Sequence, residues 1–227
     1  MRPNPARWVA CVAILLLAGC FSAGAAADDF SGVYNAEGKT ASGSSYKGAV
    51  QIENLGSLYA VLWKLKDNEA YKGIAIPMDN VLGAAYGPPN TNFGLVVYRI
   101  KGGTLEGIWA DSGNLKSELG RESLEGPVGL SGEYKITLGQ NRDGVTNYGG
   151  KVLIKPNGQT YLLVWLVPKP STIGVGIRMD DLLVVAYGPD PKHMPGVVAY
   201  RKNGPGLEGE WSIGTQPKVG TETLLRP

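Results

Sequence analysis

The sequence contains the motif Leu-Glu-Gly-x-Trp twice, as TLEGIWA at 104–110 and as GLEGEWS at 206–212. Six more segment pairs recur in the same order, each separated by 100 to 102 residues. In the first repeat these segments are SGVY (31–34), YKGAV (46–50), YAVLW (59–63), MDNVLGAAYGP (78–88), GLVVYR (94–99) and GRESL (120–124). Self-similarity of this extent indicates a duplicated structural module. We therefore divide the chain into repeat 1 (30–124), a Gly/Pro linker, EGPVG (125–129), and repeat 2 (130–227).

Each repeat reads as short strands separated by turns. In repeat 1 we predict strands at 31–37, 45–53, 58–65, 71–77, 80–86, 93–100, 104–110 and 119–124. Gly-containing turn segments separate them, repeat 2 has Asn-Gly turns at 157–158 and 203–204, and the body has no sustained 3.6-residue apolar period. Closing an antiparallel meander removes its exposed edges. The predicted fold is all-β, with two tandem small antiparallel up-and-down β-barrels of about eight strands each, lipocalin- or avidin-like in architecture. One two-lobed barrel or sandwich with a shared core is the alternative.

Alternation along the strands separates two faces, because successive side chains point to opposite sides of a sheet. One face combines aromatic residues with glycines, which is what a small barrel interior requires, since a large ring fits only beside an empty position. We assign that face inward. The opposite face of the third strand is also apolar in both repeats, at Leu58, Ala60 and Leu62 and at Leu162, Val164 and Leu166. We expect the two modules to pack on each other there.

The N-terminus has the features of an export signal. Arg2 and Arg7 precede an apolar run, Trp8 to Leu17, which is too short to span a membrane. The segment LAGC resembles a bacterial lipobox ending at Cys20, which would become the acylated first residue after removal of 1–20, leaving 21–29 as a linker. Cleavage after Ala27 is the alternative. The two cysteines both precede the body, which favours the lipobox. Either cleavage site predicts an extracytoplasmic protein, lipid-anchored in the cell envelope or else secreted or periplasmic.

Composition excludes several function classes. Without the two arginines of the leader, the chain has 20 basic and 20 acidic residues, so the body offers no electrostatic footprint for a nucleic acid. It also lacks a polybasic run for anionic lipid, so a membrane contact is expected only through the N-terminal anchor. Its single histidine, His193, cannot assemble a metal site or a serine triad. We expect no enzyme activity, no metal and no cofactor.

The aromatic residues of the inward face are the first candidate site. They could bind a small apolar ligand inside the barrels, or they could simply fill the core. The candidate ligand-binding residues are Tyr59, Trp63, Tyr98, Trp109, Tyr161, Trp165, Tyr200 and Trp211. A second repeated set combines acids with arginines and predicts structural ion pairs between neighbouring strands, with a polar recognition patch as the alternative. Its members are Arg99, Glu106 and Glu122, with Arg201, Glu208 and Glu222.

Two long irregular segments, YGPPNTNFG (86–94) and YGPDPKHMPG (187–196), follow the fifth strand of each repeat. Loops on a rigid scaffold often mediate recognition, and a duplicated pair could engage a partner bivalently. The alternative is a wide hairpin loop stiffened by proline. The candidate partner-contact residues are Pro88, Asn90, Asn92, Asp190, Lys192 and His193.

The ordered motifs SGxY, YxGxV, YxxxW, MDxxLxxAYG, GVVxYR, LEGxW and GTETL resemble uncharacterised secreted two-repeat proteins of Gram-negative bacteria, some of which are labelled fibronectin-binding protein. The resemblance covers both repeats. It implies an extracytoplasmic repeat protein with an adhesive function and transfers no site residue. The sequence thus predicts a non-catalytic binding or interaction protein of the bacterial envelope, with a host or envelope protein as partner. The alternative is a carrier of a small apolar ligand.

Overall fold

The computed structural model describes residues 29–65, 70–87, 90–116, 118–167 and 172–227. The first eight strands are β1 (Gly32–Lys39), β2 (Ser45–Asn54), β3 (Tyr59–Leu65), β4 (Ala70–Met78), β5 (Val81–Gly87), β6 (Gly94–Lys101), β7 (Thr104–Asp111) and β8 (Gly120–Glu125). The remaining strands are β9 (Gly132–Gln140), β10 (Lys151–Asn157), β11 (Thr160–Leu166), β12 (Thr172–Met179), β13 (Leu182–Gly188), β14 (Gly196–Asn203), β15 (Gly206–Ile213) and β16 (Gly220–Leu225). Pro191–His193 forms a 3₁₀ turn. The predicted all-β class is confirmed.

The strands form two closed antiparallel barrels of eight strands each within the described part of the chain. One barrel contains β6 to β13 in uninterrupted order, with β13 pairing back onto β6, and we call it the continuous barrel. The other contains β1 to β5 together with β14 to β16, and we call it the split barrel. It closes through two pairings between distant segments, β5 with β14 and β1 with β16. The continuous barrel is therefore inserted between two parts of the split barrel.

The predicted domain boundaries were wrong, although the fold class was right. Repeat 1 (30–124) supplies five strands to the split barrel and three to the continuous barrel, and repeat 2 (130–227) does the reverse. The predicted linker, 125–129, lies inside the continuous barrel, where it connects the paired strands β8 and β9. The repeats have thus exchanged their last three strands, which is the geometry of a domain swap within one chain.

The exchange preserves the contacts that each repeat would make alone. Tyr86 of β5 lies opposite Gly196 of β14, and Tyr187 of β13 lies opposite Gly94 of β6. Each tyrosine ring lies over its glycine, where a Cβ atom would overlap the ring. Because Gly94 and Gly196 are equivalent residues of the two repeats, either pairing of β5 satisfies the same packing requirement.

The barrels pack together through the outer faces of β4, β5 and β14 on one side and β6, β12 and β13 on the other. Outward residues of these strands form a continuous apolar cluster that includes Ile76, Val97, Ile177 and Val184, all fully buried. Strands buried on both faces explain the nearly unbroken apolar sequences of β5 and β13. Burying each large aliphatic side chain contributes about 1.5–3 kcal/mol relative to leaving it exposed, so the two barrels form one packed body.

This interface differs from the predicted one. Leu58 does belong to the apolar cluster between the barrels, but Leu62, Leu162 and Val164 are only half-buried, and Leu166 is exposed. The third strand of each repeat lies beside the interface because the strand exchange places β5 and β13 at its centre. Within the described residues, no helix has the length and apolar character needed to span a bilayer.

Candidate functional site

Each barrel is closed at one end and open at the other. Phe30 and Leu130 are buried beside the interiors, and the hydroxyls of Tyr34 and Tyr134 donate to backbone carbonyls there, Tyr34 to Phe30 at 2.9 Å and Tyr134 to Pro127 at 2.9 Å. The opposite end retains an open cavity, which we call a cup. Cup volumes are about 580 Å³ in the continuous barrel and about 300 Å³ in the split barrel. Both values fall in the range of small-molecule sites, about 300–1,000 Å³.

Equivalent residues of the two repeats line the two cups. The continuous-barrel cup is lined chiefly by Val96, Trp109, Glu122, Tyr148, Trp165 and Tyr187. The split-barrel cup is lined chiefly by Val198, Trp211, Glu222, Tyr46, Trp63 and Tyr86. The duplication has therefore produced two versions of one cavity, each with aromatic walls and a glutamate.

The repeated Leu-Glu-Gly-x-Trp motif builds the wall of each cup. In β7, Leu105, Gly107 and Trp109 point inward, and Glu106 points to solvent. Gly107 lies opposite Tyr98, and a Cβ atom at Gly107 would lie 2.5 Å from the Tyr98 ring. The missing side chain is what allows the fully buried Tyr98 to cross the barrel beneath the cup. Gly209 and Tyr200 repeat this arrangement in the split barrel.

The floor of the continuous-barrel cup is the carboxylate of Glu122, which is 3% exposed. Its Oε1 accepts hydrogen bonds from the Tyr98 hydroxyl and, at 3.0 Å, from the Trp165 indole nitrogen. Its Oε2 accepts one from the Tyr148 hydroxyl at 3.0 Å. All three donors are neutral, and Glu122 forms no ion pair with a described cationic side chain.

Glu222 occupies the same place in the split barrel. It accepts hydrogen bonds from the hydroxyls of Tyr46, at 3.0 Å, and Tyr200. Here the indole of Trp63 donates to the Tyr200 hydroxyl, at 2.9 Å, instead of to the carboxylate. The network has therefore been copied with one donor reassigned.

Burial dominates the electrostatics of both cups. It raises the pKa of Glu122 and of Glu222 above the ordinary value, while the hydrogen bonds from the phenols, and at Glu122 also from the Trp165 indole, act in the opposite direction. Burial, followed by the nearby carboxylate charge, also raises the pKa of Tyr98 and Tyr200 well above 10. The phenols therefore remain protonated donors at neutral pH, and the carboxylate is the group that can titrate.

One difference between the repeats places a smaller side chain in the larger cup. Tyr71 lines the split-barrel cup and packs against Tyr86, with ring centroids 5.4 Å apart. The equivalent residue at the start of β12 is Thr172, which lines the larger cup. Replacing a phenol ring by a hydroxyethyl group leaves space above the floor.

The rims also differ. Beside the continuous-barrel cup, the mostly buried Arg142 pairs with Asp111 at 3.0 Å and donates to the Glu118 carbonyl at 2.8 Å. Ile213 replaces Asp111 in the split barrel. The continuous-barrel rim is thus polar, and the split-barrel rim is apolar.

Both cups contain a buried indole nitrogen without a hydrogen bond. The Nε1 atoms of Trp109 and Trp211 are shielded from solvent and have no hydrogen-bond partner among the described residues. Buried polar groups are normally satisfied, so an unmet donor at the same position of both barrels is notable. Each indole packs against the glycine that begins the neighbouring strand, Gly120 or Gly220, so the barrel wall encloses its nitrogen.

The structure brings together six of the eight predicted aromatic residues, three in each barrel. Four tryptophans line the cups, and Tyr98 and Tyr200 lie beneath them against the glutamates. Tyr59 and Tyr161 lie away from the cups, and Tyr59 packs edge-on against Phe30 near the closed end.

The structure assigns the predicted partner loops a structural role as the two connections between barrels. Phe93 and Met194 insert into the apolar cluster, and Asn90 and Asn92 line a groove of about 740 Å³ beside them. In the second connection, Asp190 accepts hydrogen bonds from the backbone nitrogens of Lys192 and His193 and from the His193 ring at 2.9 Å. These hydrogen bonds stabilise the 3₁₀ turn and lie entirely within it. Pro88 lies outside the described residues, as do Cys20 and the predicted leader.

Sequence reasoning misassigned the glutamates. It grouped Glu122 and Glu222 with the arginines, but both point inward, whereas Arg99 pairs with Asp79 at 2.6 Å and Arg201 with Asp180 at 2.6 Å. The signal was present in the alternation. Gly120, Glu122 and Leu124 share one face of β8, and the leucine and glycine mark that face as internal.

No group of three or more metal-binding side chains occurs among the described residues. Comparison with known sequences finds no protein-family model and no curated protein that matches this chain.

Proposed function

We propose that this protein is a non-catalytic, extracytoplasmic binding protein that holds a small ligand in the aromatic cup of each barrel. The observation that supports this most directly is the presence of two open cavities, of about 580 and 300 Å³, in barrels small enough to be filled by their own side chains. Each keeps aromatic walls and a buried carboxylate. Repetition of these features in both barrels argues that they serve one purpose.

A surface-contact function through the loops is the weaker candidate. Phe93, Met194 and the Asp190 cap fix the connections between the barrels, so these segments already have a structural task. We retain the export assignment as part of the proposal, with Cys20 as the lipid-attachment residue. Incorporation of labelled palmitate into the parent, and its loss in Cys20→Ala, would support the anchor.

Binding is tested with N-phenyl-1-naphthylamine, a neutral dye that fluoresces in apolar cavities. We expect saturable enhancement with the purified protein. Thr172→Tyr should weaken the site in the continuous barrel, because it introduces the ring that Tyr71 supplies in the other cup. Thr223→Tyr, on the outer face of β16, is the matched control and should bind normally.

NMR signals of the tryptophan indole groups locate the bound ligand independently. Ligand should shift the signals of Trp109 and Trp211. Absence of dye binding, or equal binding by Thr172→Tyr and the parent at both sites, would contradict a ligand site in the cups.

A further inference from the structure

We infer that each cup selects a small organic cation of the alkylammonium class, held over the buried glutamate by the surrounding aromatic rings. This inference rests on the proposed function, because it names the class of ligand for the same two cavities. Two observations and one physical argument support it. The observations are the neutral partners of the carboxylate and the arrangement of the rings, and the argument concerns the exclusion of water by a bound ligand.

Among the described residues, no cationic side chain pairs with the Glu122 carboxylate. The groups that bind Glu122 are two phenols and an indole, and the Arg142 guanidinium near the rim is already paired with Asp111. A carboxylate can accept about four hydrogen bonds, and Glu122 accepts three, with the open capacity on Oε2. Within the described part of the chain, the carboxylate at the floor of the cup therefore has only neutral partners.

The walls suit a cation. Trp165 and Tyr187 lie 5.6 Å apart, centroid to centroid, with their planes at 53°, and Trp63 and Tyr86 repeat both values. In the split barrel Tyr71 adds a further ring at 67° to Tyr86. Ring faces attract cations through their quadrupole, most strongly when water is excluded, and quaternary ammonium groups are typically recognised in this way.

Excluding water is what discriminates between ligand classes. A neutral apolar ligand would strip the remaining solvent from Glu122 and leave a buried charge without a partner, which is unfavourable. An anion would add repulsion. A cation restores a counter-charge as the water leaves, so the carboxylate favours this class over the other two.

The test compares choline with 3,3-dimethyl-1-butanol, its neutral carbon isostere of almost the same shape, by isothermal titration calorimetry at pH 7.5. We expect choline to bind at least about tenfold more tightly to the parent protein. The double variant Glu122→Gln/Glu222→Gln should reduce that ratio to near one, because choline loses its counter-charge and the alcohol no longer has to cover a buried charge. Glu125→Gln removes the same charge from the outer face of β8 and should retain the preference.

Equal or tighter binding of the neutral isostere by the parent overturns the inference without relying on any variant. So does an unchanged preference in the folded double variant. If N-phenyl-1-naphthylamine occupies the cups but choline does not, the cation inference fails and the proposed function stands. If neither probe binds, both fail.

Discussion

The repeated glycine of the Leu-Glu-Gly-x-Trp motif gives a quantitative test of how the barrel interior is packed. Gly107→Ala adds one methyl group, whose carbon would lie 2.5 and 2.6 Å from two carbons of the Tyr98 ring and 3.1 Å from Val96. Favourable carbon contacts lie at about 3.5–4.0 Å, so the ring would have to move by about 1 Å. Tyr98 is fully buried and bonded to Glu122, which leaves it no free direction.

Two costs follow from that displacement. Overpacking a well-filled core costs about 1–3 kcal/mol. Moving the phenol also weakens its hydrogen bond to the carboxylate, an interaction of about 1.5–3 kcal/mol when one partner is charged. Because the ring can relax partly, we expect Gly107→Ala to lower the free energy of unfolding by about 2–4 kcal/mol.

Urea unfolding followed by tryptophan fluorescence measures this loss. Gly149→Ala is the control, since a Cβ atom at Gly149 meets no atom within 4 Å. The penalty should also shrink to below about 1 kcal/mol in a Tyr98→Leu background, where the clashing ring is absent. A loss at Gly107 no larger than that at Gly149, or one that persists undiminished without the ring, would refute the packing argument.

Three further predictions concern other parts of the molecule. Burial raises the folded-state pKa of Glu122 and Glu222, so above pH 4.5 the folded state binds more protons than the unfolded state. The free energy of unfolding of the parent should therefore fall relative to that of the Glu122→Gln/Glu222→Gln variant as pH rises through that region. Urea unfolding at a series of pH values measures this difference, and a difference that rises with pH would refute the prediction. Gly83→Val should cost about 1–3 kcal/mol by the same unfolding measurement, because its Cβ would meet Val184 of the other barrel at 2.8 Å, and an unchanged stability would contradict the interface. Replacing 88–195 with an Asn-Gly turn joins β5 directly to β14 and should leave a closed split barrel that self-associates through its uncovered apolar face; light scattering that reports only monomer would contradict this expectation.

Much of the fold was accessible from the sequence because alternation is a local property. The strands predicted in repeat 1 lie within one or two residues of β1 to β8, and the aromatic face is internal as expected. The strand that pairs with β5 could not be predicted from the sequence, because Gly94 and Gly196 are equally good neighbours for Tyr86. Only the conformation of the connections distinguishes the two pairings, and that depends on tertiary burial of Phe93 and Met194.

The cups could be predicted only in part from the sequence, for a related reason. Alternation identified the tryptophans that line them, but not the empty volume, which depends on how rings from several strands fill the end of a barrel. The two cups differ almost twofold in volume, and Tyr71 against Thr172 is one of several differences in their linings. The inward glutamates could have been found by giving their phase with Leu124 and Leu224 more weight than their charge.

The strand exchange also determines the order in which the two barrels can close during synthesis. The continuous barrel needs only residues 94–188 and can close as soon as β13 has emerged. The native partners of the five strands made first arrive only with the last segment of the chain, so until then β1 and β5 each lack one neighbour of the final fold. During that interval the edges and the apolar surface of this sheet are exposed to aggregation or to pairing of β5 with β6. Chaperone protection would matter most during that interval.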